Sequence, residues 1–424
     1  MAAAVEATLA GHNAIVFEAA RAVGGRARAM NGTLPDGMPV VLDNGQHILI
    51  GAYSETLQLM RTVGVDAKQA LLRTPLNLKF PNGDGLALPR WPSPLDALGG
   101  MLMARGWSWA DKMSLLRASL GWQRQGFVCA PTTSVADLCT TLTPRVVQTL
   151  IEPLCVSALN TPAPRASGQV FLTVLRDSLF SGQGSSNLLL PRTDLAQLFP
   201  QAAAAWLQTG DGKGRGGALR LGTRVDRVDW LPHTNQWQIN GEAFDAVVWA
   251  TSSSFAAQAL MESAREAPEM IANAMQAWAS TTQALQFEAI ATVYAWSPTA
   301  TLRQPMLSLH STPWEPAQFV FDRGQLGGQA GLLAFVVSAS EADRDTLQRQ
   351  VLAQAQSQLG LTLQAVQTVI EKRATFACTP GLVRPPIAIA PGLLACGDYV
   401  RGPYPATLEG AVRSGQSAVA ALVP

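Results

Sequence analysis

Residues able to do chemistry gather at the two ends of the chain. The run from Leu393 to Glu409 reads as a buried strand, a Gly397-Asp398 turn, a Pro/Gly loop and then a small-residue helix. A carboxylate at a strand end can hold the hydroxyls of a ribityl chain. The free N–H groups of a helix start, here at Ala406, Thr407 and Leu408, can face the electron-rich edge of a heterocycle. Near the N-terminus, Ala14 to Glu18 is a short apolar strand closing on an acid, the place where a dinucleotide fold holds the adenosine ribose. Gly24, Gly25 and Arg26 follow, with Arg28 nearby: backbone without side chains can approach a pyrophosphate, and guanidinium groups can neutralise it. Together these segments suit a flavin dinucleotide, FAD.

The elements that must position these groups are legible around them. Ala2 to Leu9 is an alanine-rich helix ending at Gly11. In a dinucleotide fold a first strand and a G-x-G-x-x-G loop precede that helix. The chain starts inside the helix, so the reading expects strand and loop to be missing at the N-terminus, through a start placed too late, and expects weak flavin binding as a result. Gly210 to Gly217 looks like a phosphate loop but follows a helix, and its polarity suits a flexible turn. No second dinucleotide fingerprint remains, so no resident nicotinamide domain is expected and the electron donor stays open. A strand read over Arg224 to Trp230 offers the backbone of Val225 to an adenine edge.

Composition bounds the class. A chain of 424 residues, 48% hydrophobic and 14% charged, can bury a large core and divide into interleaved domains. A net charge of +1 without a basic run argues against nucleic acid. Five scattered cysteines without a C-x-x-C pair read as reduced, buried thiols of a cytoplasmic protein. Four histidines without ligand spacing point to no metal, and no G-x-S-x-G elbow is present. No apolar run is long enough to span a bilayer. Leu86 to Trp122 is nonetheless rich in Trp, Met and Leu with interspersed Arg105, Lys112 and Arg117, a mixture suited either to a helical cap over a core or to a membrane surface.

Along the chain, a helix to Val63 follows Asp43-Asn-Gly-Gln46-His47, and Asn77 to Leu88 forms a hairpin turning at Asn82-Gly83. Thr143 and Pro144 open a helix to about Ala158, and Thr193 caps another toward Leu207. Phe287 to Trp296, with segments near Phe319 and Leu332, suggests a mixed sheet, followed by helices at Glu341 to Leu359 and Leu361 to Lys372. The expected architecture is α/β. A Rossmann-like FAD domain (1–75, 216–262 and 386–424) is interleaved with a mainly helical substrate cap (76–215) and a substrate-domain sheet with helices (263–385).

With Glu18 and Gly24-Gly25-Arg26 at one end and Gly397-Asp398 to Glu409-Gly410-Ala411 at the other, the chain resembles the flavin-dependent amine oxidase and carotenoid desaturase superfamily. Asp43 to His47, Glu152 to Asn160 and Cys396 to Tyr404 look more narrowly like the hydroxysqualene dehydroxylases of bacterial hopanoid synthesis. The resemblance implies reduction of an allylic alcohol by reduced FAD, a long-chain isoprenoid substrate drawn from a membrane surface, and a flavin ring passing near Gln46 and His47. A departing hydroxide needs an acid. His47, Glu152 and Tyr404 are the candidates, with Tyr53 as a possible wall of the flavin face and Asp43 as a loop-orienting residue. Oxidation of a polyene or an amine is the alternative, and an inactive homologue lacking its phosphate loop a third reading.

Overall fold

The computed structural model describes residues 1–210 and 216–422, so the middle of the Gly210 to Gly217 turn lies outside the described residues. The helix Ala2–Leu9 and the strand Ile15–Glu18 form as the sequence suggests. Ile15–Glu18 runs parallel to Ala218–Leu221. Leu393–Ala395 runs parallel to Val247–Trp249 and takes Ala388–Ala390 on its other side. Among the described residues the two parallel ladders do not bond to each other. Helices join them instead. Leu408–Ala420 packs on Ala2–Leu9, and Gly415 permits the approach, since a Cβ there would stand 2.9 Å from the Ala3 nitrogen.

A five-stranded sheet lies beside this unit. Its order is Met306–Ser308, Phe319–Asp322, Leu332–Ser338, Phe287–Trp296, Gln364–Phe376, and every pairing is antiparallel where a mixed sheet was expected. The last strand corrects a second expectation. Leu361 to Lys372 reads as a helix, yet Gln364 to Phe376 is a strand paired along Phe287–Trp296. Val366, Thr368 and Ile370 alternate as well as they recur helically, and pairing with an apolar neighbour strand decides between the two.

Between Leu95 and Thr209 the chain is mainly helical. Trp109–Arg124 starts at a capping box in which the Asp111 N–H donates to Ser108 Oγ (3.2 Å) and the Ser108 N–H donates to Asp111 Oδ2 (2.8 Å). Pro144 opens a helix that continues to Leu159 through a π-turn at Val147–Ile151, just ahead of Pro153. A proline has no N–H to give and crowds the preceding turn, and the wider π-turn absorbs this. Thr143 holds the N-cap position without a side-chain cap bond; its hydroxyl donates to Asp111 Oδ1 at 2.5 Å. Asp194, not Thr193, caps Leu195–Leu198, and the helix restarts at Pro200. Asn160 ends its helix in a left-handed conformation, and its side chain ties the cap to the sheet through Thr375 Oγ1 and the Ala339 N–H, both at 2.9 Å.

The Trp-rich segment divides between core and surface. Trp107 and Trp122 are 8% and 7% exposed, and the Trp107 indole N–H donates to Thr149 Oγ1 at 3.0 Å. Trp91 and Trp109 are 50% and 72% exposed and share their face with Leu95, Leu98, Leu102 and Met103. Trp107 and Trp122 therefore follow the reading of the segment as a helical cap over a core, while Trp91 and Trp109 lie on its surface.

Candidate functional site

The fold brings the two chain ends together. Arg26 Nη2 contacts Asp398 Oδ1 at 2.6 Å across 372 residues of sequence, and a second Arg26 nitrogen donates to the Ala374 carbonyl. The turn that aims Arg26 needs its glycines. Gly24 has φ +117°, and a Cβ there would lie 2.4 Å from the Ala27 carbonyl oxygen; Gly25 has φ +57°. On the other side, a Cβ at Gly397 would stand 2.6 Å from the Tyr399 ring, and the Gly397 N–H is held by Ser414 Oγ at 2.8 Å. Ala406 occupies a left-handed conformation (φ +58°), its N–H donating to the Asp398 carbonyl at 3.0 Å. Strain of this kind at a non-glycine residue persists where the surroundings enforce it. Thr407 then caps the helix opening at Leu408: its Oγ1 accepts from the Gly410 N–H and donates to the Tyr404 carbonyl, both at 2.9 Å.

These residues fit a flavin dinucleotide. The Tyr399 hydroxyl, beside Asp398, is buried without a hydrogen-bond partner among the described residues, as a group awaiting a polar ligand would be. Glu18 ends its strand with a carboxylate accepting from the Ala20 N–H (2.8 Å). Val225 lies between ladders in an extended segment; the strand expected there is confined to Asp229–Leu231, where Trp230 pairs with Trp237.

A buried polar network supports the Asp43 to His47 loop. Asp43 Oδ1 accepts from the Leu195 N–H (2.8 Å), and Oδ2 faces Arg323 at 3.6 Å. The Tyr294 hydroxyl accepts from the Asp43 N–H (3.2 Å) and donates to its carbonyl (3.0 Å). Burial pushes the Asp43 carboxyl up to about 6, with the Leu195 N–H and Arg323 pulling the other way. Arg323 also donates to Gln46 Oε1 (3.1 Å), whose amide nitrogen donates to the His47 carbonyl (3.3 Å). His47 Nδ1 lies 2.9 Å from the Gly45 carbonyl. A carbonyl only accepts, so Nδ1 carries the proton and Nε2 presents a lone pair. Burial lowers the imidazole pKa, and Arg26 lowers it further against the Gly45 bond. His47 is thus neutral near pH 7, with Nε2 as an acceptor.

Tyr404 stands at the wall of an apolar cavity with an empty volume of about 1190 Å³, open mouth included. The cavity runs from Ile48, Tyr53 and Thr407 to Leu154 and Val174 on the cap helices. The Tyr404 hydroxyl donates to Asp177 Oδ2 at 2.9 Å, and Arg413 lies over its ring at 5.2 Å. Burial and the neighbouring Asp177 raise the phenol. Burial also pushes Asp177 up, but Arg176 and Tyr404 hold it below the usual carboxylate range, so the pair is phenol plus carboxylate. Glu409, the other carboxylate on this wall, is fully engaged: it accepts from the Glu55 and Thr56 N–H groups (3.1 and 2.9 Å), from Thr56 Oγ1 and from Arg413, capping the helix Ser54–Thr62. Burial raises the Tyr53 phenol on the same wall.

Glu152 is not part of this group. Leu154, Ser157 and Ala158 face the cavity, whereas Glu152 turns toward Ala163, Cys139 and Cys155, so its raised pKa records burial within the cap. Asp177 and Arg323 were not singled out from sequence. Asp177 left one faint signal, a carboxylate near the end of Gly168–Leu179, a helix whose Phe171, Leu172 and Leu175 are buried. Arg323 left none.

The profile of the family described as flavin containing amine oxidoreductase matches residues 1–423. The chain is 28% identical over 438 residues to the hydroxysqualene dehydroxylase of Rhodopseudomonas palustris, covering 99% of this chain and 94% of that protein. It is 24% identical to the hydroxysqualene dehydroxylase of Zymomonas mobilis, covering 99% and 95%. Among solved structures, an oxidoreductase from Methanosarcina mazei superposes with a TM-score of 0.66 at 15% identity (98% and 96% covered). Cyclohexylamine oxidase from Brevibacterium oxydans superposes with a TM-score of 0.61 at 17% identity (99% and 95% covered). At such identities the two structures speak for the fold.

Proposed function

The chain belongs to the flavin containing amine oxidoreductase family, and from that premise we propose that it reduces hydroxysqualene to squalene, feeding hopanoid synthesis. The observation that carries this reading is a large apolar cavity whose polar end, Tyr404 with Asp177, adjoins Thr407 in the C-terminal cofactor segment. Its lining is mostly apolar side chains, as a hydrocarbon substrate requires. The cofactor is FAD, for which Glu18 would take the ribose, Gly24, Gly25 and Arg26 the pyrophosphate, Val225 the adenine edge, Asp398 the ribityl chain, and Ala406 to Leu408 the pyrimidine edge. Gln46 and His47 would line its ring, with Nε2 of His47 accepting. The cofactor segments 1–75, 216–262 and 386–424 would then form one domain around the substrate segments 76–215 and 263–385.

Reduced FAD, when bound, supplies the hydride. The chain does the rest. Loss of the allylic hydroxyl breaks a C–O bond and leaves a delocalised cation; the oxygen departs as water if it takes a proton, and hydride closes the balance. Tyr404, a neutral phenol at pH 7, holds a proton at the cavity wall where that oxygen can reach it. Asp177, kept ionised, sets negative charge beside the cation. The apolar walls exclude water that would otherwise recapture it.

Substrate would come from a bilayer. No helix among the described residues is long and apolar enough to cross a membrane. The exposed face of Trp91, Leu95, Leu98, Leu102, Met103 and Trp109 suits peripheral docking, with Lys112 beside Trp109 at 5.5 Å from the ring. It lies close to the cavity: Ser93 Oγ donates to the Leu179 carbonyl (3.3 Å), and Leu179 lines the cavity. The reading is tested by incubating the FAD-loaded, dithionite-reduced protein with hydroxysqualene without oxygen and assaying squalene by mass spectrometry. Squalene formed in step with flavin reoxidation is expected. Flavin that stays reduced, with hydroxysqualene untouched, refutes it.

A further inference from the structure

A second hollow lies against the cavity, on the side of the hairpin Asn77–Lys79 and Gly85–Ala87, with an empty volume of about 680 Å³. Leu76, Leu188 and Met306 belong to the walls of both, so one layer of side chains separates them. All three are buried. Met306 is the pliable member, because an unbranched thioether has several rotatable bonds and repacks easily where leucine does not. Apolar groups, Leu88, Leu190 and Pro305, continue the wall beyond the divide. Lys79, Asn77 and Gln304 give the lining a polar part. The Asn77 amide donates to Gln304 Oε1, while Asn77 Oδ1 is buried and unpartnered among the described residues.

We propose that this second hollow is a subsite for one hydrocarbon arm of the substrate, with Met306 as the side chain that yields to admit it. The inference rests on the hydroxysqualene reading. A linear thirty-carbon alcohol whose hydroxyl sits on an internal carbon carries isoprene units on both sides of the reacting centre. With that centre at Tyr404, one arm can lie along Gly168–Leu179 beside Val174 and Leu175. The other needs apolar room in a different direction, and the wall at Leu76, Leu188 and Met306 is where such room adjoins. The polar part of the lining marks where the arm ends.

A squalene analogue carrying a diazirine at one chain end tests this on the FAD-loaded wild-type protein. After photolysis and digestion, label is expected in the 77–87 hairpin or at 304–306 as well as along 168–179. Label confined to 168–179 and the outer surface overturns the subsite. A narrowing variant, Ala87→Phe, supplies a second reading: affinity for squalene should fall tenfold or more while affinity for the fifteen-carbon farnesene stays within twofold. Equal losses for both, or none for either, count against the proposal. Labelled hairpin without turnover of hydroxysqualene would uphold the subsite and sink the reaction; turnover with no label there would do the reverse.

Discussion

Replacing Trp91 and Trp109 with serine should release the protein from lipid bilayers and leave its fold intact. The two side chains are 50% and 72% exposed, and one face of Trp91 already rests on Gly99, where a Cβ would come within 2.3 Å of the ring. A tryptophan offers about 200 Å², so at about 25 cal/mol per Å² the exposed parts of both are worth roughly 6 kcal/mol if fully immersed. A peripheral helix sinks only one face. About half, 3 kcal/mol, is therefore expected, on the order of a hundredfold in partition. The assay is co-sedimentation with phosphatidylglycerol vesicles at fixed salt, with flavin absorbance and thermal unfolding followed in parallel. Trp107→Phe is the internal control, because it alters only the core, losing the bond to Thr149 and part of the ring's packing, roughly 2–3 kcal/mol of stability, and should sediment as wild type. The reasoning fails if the double variant still sediments fully, or if Trp107→Phe weakens sedimentation as much.

Tyr404→Phe keeps the ring beneath Arg413 but removes the hydroxyl given to Asp177, so single-turnover flavin reoxidation by hydroxysqualene should slow by about 10²–10⁴-fold with flavin content unchanged. Asp43 titrates near 6 when folded against 3.8 when unfolded, so its contribution is complete below about pH 4 and lost as pH rises through about 6. Urea unfolding of wild type against Asp43→Asn should move by roughly 3 kcal/mol in the variant's favour from pH 4 to 7; a flat difference would remove Asp43 from the account. Glu409→Ala strips the helix Ser54–Thr62 of its carboxylate cap and leaves Arg413 only the more distant Glu55 carboxylate at 3.8 Å. A loss of about 3 kcal/mol is expected, read by thermal unfolding, with faster amide exchange at Glu55 and Thr56 as the local sign.

Local rules of the chain determined much of this protein. Apolar runs ending in an acid or a Gly-Asp turn made Ile15–Glu18 and Leu393–Ala395 legible as strands, Asn82-Gly83 made its hairpin, Pro144 opened its helix, and small residues after Thr407 made the last one. The glycines at 24 and 25 marked a turn that needs them, Gly24 through its close approach to the Ala27 carbonyl and Gly25 through its positive φ. Only the tertiary structure decided what periodicity leaves ambiguous and what distance hides. Gln364–Phe376 became a strand because Phe287–Trp296 offered it a partner edge. Trp107 and Trp109, two positions apart, went to core and to surface because a helix begins between them at the Ser108 cap and turns them to different sides. Arg26 reached Asp398, Tyr404 reached Asp177, and Arg323 reached Gln46 across 372, 227 and 277 residues of chain. A short motif records the conformation of its own neighbours. Which side chains share a buried space depends on how all the elements pack, and there the pairing partners, protonation states and cavity walls are settled.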